Sequence, residues 1–313
     1  MSLKIISSNK DFKYWNWNGF NIAWHVERED GENPILLIHG FGASSSHWRN
    51  NILPLSKKDY AVYSIDLLGF GNSDQPGIKQ IGKLDNGIWC DQVTDFIREI
   101  IRPIHSKKIV IIGNSLGGLI ALTCAVASPE DIAAIVASPL PDPISLRFRT
   151  DNSRDKYENF KTLIIELFTR IFPIELLLLL INRFNIINLG LRSAYHKKDN
   201  IDDQLLDIIK KPAKRGTAAR ALRAMLIGMS TRSKKLKSSF LLKNLNDLQK
   251  VPFLLIWGEK DNFIPLFLGK RIAKLYPWVK LKVIANSGHC VHDEDHLKFN
   301  KICHQWIKEL KTF

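Results

Sequence analysis

Lys108-Ile109-Val110-Ile111-Ile112-Gly113-Asn114-Ser115-Leu116-Gly117-Gly118-Leu119 is the stretch on which the reading of this chain turns. Its first half is an uncharged, β-branched run, the pattern of a buried strand. Its second half continues through Ile120-Ala121-Leu122-Thr123-Cys124-Ala125, a helix pattern of small and aliphatic residues. A serine is thereby expected on a glycine-flanked turn between a strand and a helix. Gly113 and Gly117 stand two positions to either side, and only residues without bulk there let the chain fold back sharply enough to lift the hydroxyl out of the sheet. Such a string also arises by chance in glycine loops. The flanking strand and helix are what make Ser115 a candidate nucleophile.

Outward from this turn, the same rhythm recurs. Trp15-Asn16-Trp17, a turn at Asn18-Gly19 and Phe20 to Val26 predict an antiparallel hairpin. Pro34 to Ile38, Tyr60 to Ile65 and Ile132 to Ser138 then repeat the uncharged strand pattern, each separated by helical sequence. That alternation predicts a mostly parallel sheet covered by helices on both faces, an α/β fold. Past Pro139, Pro141 and Pro143 the rhythm breaks, and it resumes at Val251 to Gly258 and Lys280 to Ile284. The expected organisation is a core of residues 1–141 and 249–313 interrupted by a helical cap over 142–248.

At 313 residues, with 45% apolar and 24% charged, the chain can bury a large core. Cys90, Cys124, Cys290 and Cys303 form no C-x-x-C pair, which argues for reduced thiols and against a metal knuckle. No cofactor or metal is expected. Met1 to Lys10 lacks an apolar stretch of signal-peptide length, so cytoplasmic residence is the expectation. The formal charge of +14 is uneven, with +10 between Asp142 and Asp247 and +4 elsewhere. A solvated lysine-rich surface and a face for anionic headgroups are both open readings. Nucleic acid is disfavoured, because no aromatic side chains interleave with the basic ones as a base-stacking platform requires. The leucine-rich stretch Leu163 to Leu191 is interrupted by Arg170, Glu175 and Arg183 and is too short of apolar residues to span a bilayer. It fits either a helix buried on the core or an apolar lid over a lipophilic substrate.

A serine hydroxyl is a weak nucleophile at neutral pH. It needs an imidazole as base, and the imidazole needs a carboxylate to fix its tautomer. His289, in Ser287-Gly288-His289, follows the last expected strand, and Asp261, in Trp257-Gly258-Glu259-Lys260-Asp261, follows the strand before it. The chain order Ser115, Asp261, His289 is that of the α/β-hydrolase triad. Asp142, which also follows a strand, is the rival acid; His292 and His296 read as packing or surface residues. For a developing oxyanion the expected donors are the Leu116 N–H at the helix start and the Phe41 N–H in the loop after His39-Gly40. His39 and Asp66 read as structural, orienting one loop and pinning another.

His39-Gly40-Phe41-Gly42-Ala43-Ser44, His47-Trp48-Arg49, Asp66 to Asp74, Gly113 to Gly118, Trp257 to Asp261 and Ser287 to His289 together resemble the α/β-hydrolase superfamily over about two thirds of the chain. More narrowly, His39 to Trp48 with Ile65 to Gly71 is similar to the chlorophyll dephytylase and pheophytinase group. The broader resemblance implies acyl chemistry on a small-molecule ester. The narrower one implies a lipophilic substrate such as a phytyl ester. A C–C bond hydrolase, an acyltransferase or a catalytically silent ligand-binding member of the fold would use the same framework.

Overall fold

The computed structural model describes residues 12–141, 186–248 and 251–310. Eight strands form one sheet: β1 (Lys13–Trp17), β2 (Phe20–Glu27), β3 (Asn33–Ile38), β4 (Tyr60–Ile65), β5 (Ile109–Asn114), β6 (Ile132–Ser138), β7 (Phe253–Gly258) and β8 (Lys280–Ile284). Their spatial order is β1-β2-β4-β3-β5-β6-β7-β8. The β1–β2 hairpin turns at Asn18 and Gly19, both at positive φ, and β2 runs antiparallel to β4. From β4 onward every pairing is parallel. The alternation of strand and helix patterns implied this mostly parallel sheet, and the motif resemblance implied the α/β-hydrolase fold that it forms.

Strands β3 to β7 are buried along almost their whole length because helices cover both sheet faces. Side chains alternate between two cores, as a pleated strand requires. Leu36, Ile38, Ile111, Ile135, Leu255 and Trp257 point into the larger core. Their neighbours Ile35, Leu37, Val110, Ile112, Leu254 and Ile256 point into the other. The helices Asn86–Phe96 and Leu116–Ala127 cover the first face, and the C-terminal helix His296–Lys308 supplies Phe299, Cys303, Trp306 and Ile307 to the second. Strand β8 is one edge of the sheet and keeps Lys280 and Lys282 exposed. All four cysteines are buried and unpaired.

Between β6 and β7 the described residues are helical, with helices Ile186–Ala194, Asp203–Ala213, Ala218–Thr231 and Ser238–Leu248. Of the 142–248 insertion, residues 142–185 lie outside the described residues, and with them Asp142 and most of the Leu163 to Leu191 stretch. The described part merges with the sheet's own core: Ala221, Ala224, Met225, Leu241, Leu242 and Leu245 are buried in the larger cluster. The Leu84 N–H donates to the Ala224 carbonyl at 3.1 Å, and Arg215 and Arg220 donate to carbonyls of the Asp66 to Gln75 loop region. Among the described residues no helix is long and apolar enough to cross a membrane.

Candidate active site

A parallel sheet gathers the loops after its strands at one edge, and the ends of β3, β5, β7 and β8 bring the sequence-selected residues there. Ser115 sits between β5 and the helix Leu116–Ala127 at φ 50° and ψ −111°, a conformation that an L-residue with a Cβ avoids. Two close approaches hold it. A methyl group on Gly113 would overlap the Gly117 carbonyl, and one on Gly117 would overlap the Ile38 carbonyl of β3. The Ser115 N–H donates to the Ser138 carbonyl at 3.1 Å, and Asn114 Nδ2 donates to that same oxygen. The turn is therefore over-determined from both sides, and it leaves Ser115 partly accessible while its neighbours are buried.

The acid and base loops are stitched together by backbone. Glu259 N–H donates to the Ile284 carbonyl at 3.0 Å and Lys260 N–H to the Ser287 carbonyl at 2.9 Å. Gly258 admits this approach, since a methyl group there would overlap the Gly288 carbonyl. Asp261 is buried and uses both carboxylate oxygens. Oδ1 accepts from Phe263 N–H at 2.8 Å and Ile264 N–H at 2.9 Å, and Oδ2 faces His289 Nδ1 at 3.0 Å. A carboxylate only accepts, so the proton of that last bond sits on Nδ1 and the lone pair of His289 is on Nε2. The structure thus brings together Asp261 and His289 as a pair and carries Ser115 to the same sheet edge.

The loop after β3 packs against the serine turn. A methyl group on Gly40 would lie 2.6 Å from Asn114 Oδ1 and 3.5 Å from Ser115 Cβ, so glycine lets the Gly40-Phe41 backbone approach the serine. Leu116 opens its helix, where its N–H lacks an intrahelical acceptor and the dipole favours negative charge. The rings of Phe41 and Phe263 are 53% and 51% exposed, and Phe263 lies 5.2 Å from the His289 ring. His39 is fully buried. Its Nδ1 lies 2.8 Å from the Gly40 carbonyl and its Nε2 accepts from Leu67 N–H at 3.1 Å, tying two loops together. Burial lowers its pKa, which keeps it neutral in that role. Asp66 accepts from Ser45 N–H and Asn72 N–H at 2.7 Å each and pins the turn that Gly71 completes at φ 52°. His292 is wholly buried, with burial pushing its pKa far below the ordinary value. His296 begins the C-terminal helix.

Sequence reading did not single out Tyr195, Asp293 or Glu294, all of which bear on the His289 loop. Asp293 and Glu294 stand close behind His289 in sequence, a usable signal; Tyr195 carries none. Among the described residues no group of three or more His, Cys, Asp and Glu side chains is arranged to hold a metal.

Fold and site define an α/β hydrolase, and the alpha/beta hydrolase family model matches residues 35–302, so the chain belongs to that family. It is 25% identical to human epoxide hydrolase 4, over 93% of this chain and 77% of that protein. Chloroplastic pheophytinase of Arabidopsis thaliana is 24% identical over 92% of this chain and 64% of its own length. Among solved structures, a thermophilic esterase from Thermogutta terrifontis superposes with a TM-score of 0.69 at 17% identity, covering 96% of this chain and 99% of that one.

Proposed function

We propose that this hydrolase cleaves carboxylic esters of lipophilic substrates through an acyl-enzyme on Ser115, with His289 as general base and Asp261 as the acid that orients it. The observation that carries the reading is the strained Ser115 turn at the same sheet edge as the Asp261–His289 pair. His289 Nε2 takes the Ser115 proton as Oγ attacks the ester carbonyl. Phe41 and Leu116 N–H groups stabilise the oxyanion, and the protonated imidazole then delivers its proton to the departing alkoxide. Water, deprotonated by the same nitrogen, attacks the acyl-enzyme and releases the acid. A serine at the turn favours this chemistry over the aspartate-dependent dehalogenases and epoxide hydrolases of the fold, although the chain is similar to an epoxide hydrolase.

The exposed Phe263 beside the base and the exposed Phe41 on the loop after β3 support an apolar substrate, which has aromatic faces to pack on. Within that class the resemblance to pheophytinase favours a phytyl ester, from which phytol leaves first and the porphyrin propionate remains as the acyl group. The basic stretch between Asp142 and Asp247 supports peripheral contact with an anionic membrane surface, where such substrates reside.

A fluorophosphonate probe tests the reaction class. Labelling of the folded protein at Ser115, lost in Ser115→Ala, is expected; a folded protein that does not label would mean a silent ligand-binding member. Esters of graded chain length, assayed beside chlorophyll and pheophytin, test the substrate class. Turnover should rise with alkyl length, and a preference for acetyl esters or for C–C cleavage substrates would overturn the lipophilic-ester reading.

A further inference from the structure

Behind His289 lies a buried polar cluster that the ester chemistry leaves unused. Asp293, fully buried in its side chain, accepts from Arg49 Nε at 2.8 Å, Arg49 Nη2 at 3.0 Å, Asn50 Nδ2 at 2.9 Å and the Tyr195 hydroxyl at 2.9 Å. Arg49 also reaches outward, with Nη1 donating to both carboxylate oxygens of Asp202 at 2.6 and 2.8 Å. Tyr195 is wholly buried and follows the helix Ile186–Ala194, so it belongs to the insertion rather than to the sheet. Its one hydroxyl proton is committed to the carboxylate, and its oxygen therefore accepts from His47 Nε2–H at 2.8 Å.

The residues beside Tyr195 lie against the backbone of Gly288 and His289. His289 N–H donates to the Ala194 carbonyl at 2.7 Å. Glu294 bridges the two segments, accepting from Lys197 N–H at 2.7 Å on Oε1 and from Gly288 N–H at 2.8 Å on Oε2. Gly288 makes the approach feasible, because a methyl group there would overlap the Ala194 carbonyl and lie 2.8 Å from His196 N. Backbone contacts thus tie residues 194–197 to the His289 loop, and the Tyr195–Asp293 bond fastens them from below.

We propose that Tyr195 is a positioning residue for His289, through which the insertion between β6 and β7 sets the placement of the catalytic base; this rests on the ester-hydrolase reading above. A general base works only within hydrogen-bond reach of the proton it takes, and a displacement of about 1 Å can cost up to a hundredfold in rate. Removing the Tyr195 hydroxyl leaves Asp293 held by Arg49 and Asn50 but orphans the buried His47 Nε2–H. Residues 194–197 then lose their buried side-chain anchor and keep the half-exposed Lys197 Nζ–Asp295 bond at 3.2 Å, which holds the far end of the segment, so the Ala194 carbonyl under His289 N–H loosens.

Tyr195→Phe, which keeps the ring, tests this in the full chain with two readouts. Steady-state kinetics on the p-nitrophenyl ester that the wild type turns over best should show kcat lowered about tenfold with KM little changed. The low-field proton resonance of His289 Nδ1–H, assigned by its loss in His289→Gln, should broaden relative to wild type. Either readout left at its wild-type value in the folded variant overturns the proposal, even if the melting temperature falls, because a merely structural tyrosine would move only stability. The resonance needs no turnover, so it tests positioning separately from the ester-hydrolase reading, whose failure would appear as unlabelled Ser115 in the wild type. Should Tyr195→Phe not fold, Glu294→Gln, which sets an NH2 group against one of the two backbone N–H groups that Glu294 now accepts from, loosens the same segment and carries the same expectations.

Discussion

Ser115 holds a positive-φ conformation that costs a non-glycine residue roughly 1–3 kcal/mol, and the surrounding turn maintains it with two glycine contacts and two bonds to the Ser138 carbonyl. Strain kept by the scaffold is independent of the hydroxyl, so Ser115→Ala should fold with an unchanged melting temperature while kcat/KM drops by at least about three orders of magnitude. A variant that kept its ester turnover would remove Ser115 from the chemistry. The acid is decided the same way. Asp261 fixes the proton on His289 Nδ1, and Asp261→Asn would favour the opposite tautomer, with kcat expected to fall by roughly two to four orders of magnitude. Asp142→Asn should leave kcat within about twofold of wild type. The reverse ranking, measured on one ester at one pH, would hand the role to Asp142.

At the scale of elements, the insertion is seated by close approach as well as by ion pairs such as Arg49–Asp202. In the helix Ala218–Thr231, a methyl group on Gly228 would overlap the Leu84 carbonyl, and the neighbouring Ala224 carbonyl accepts from Leu84 N–H. Alanine is the better helix former by about 1 kcal/mol, so an isolated helix would gain from Gly228→Ala. Here overpacking should win, and urea unfolding should show a net loss of about 1–3 kcal/mol; a stabilised variant would mean that the helix does not sit on the core. This contact also marks where sequence reading stops. Strands β3 to β7 were legible because burial on both faces demands uncharged runs, and β1–β2 because Asn18-Gly19 accepts positive φ. Ser115, Asp261 and His289 were legible as candidates because each follows a strand beside a glycine that allows a close turn. Tyr195 and Asp293 are 98 residues apart, and nothing local in either announces the other. The seating of Gly228 on Leu84 was invisible for the same reason.

For the whole molecule, the uneven charge and the buried histidines lead to separate expectations. If the +10 stretch meets anionic headgroups, co-sedimentation with phosphatidylglycerol vesicles should be measurable at low salt and fade as ionic strength rises; equal binding to neutral vesicles, or none, would leave the lysines as a solvated surface. Stability should depend on pH through groups that folding buries. Burial pushes His47 down to about 4 from an ordinary 6.5, opposed by Asp293 and assisted by Arg49, His39 and His289. The unfolded chain therefore takes up a proton that the folded one refuses, so the stability present above pH 6.5 is lost as pH falls toward 4, by about 3 kcal/mol. His39 and His292 shift in the same direction through burial and add to that loss. Burial alone would raise Asp293, but hydrogen bonds from Arg49 and the nearby positive charge hold it at about 2, against an ordinary 3.8. Its contribution of about 2 kcal/mol is present above pH 4 and disappears between 4 and 2. Urea midpoints measured from pH 7.5 down to 2.5 should thus descend in two stages, and His47→Gln, which can still donate to Tyr195, should shrink the upper stage while leaving the lower one. A midpoint that stays level from pH 7.5 to 4.5 would mean that the folded protein accepts the proton on His47 after all, and the neutral Nε2–H tautomer bonded to Tyr195 would fall with it.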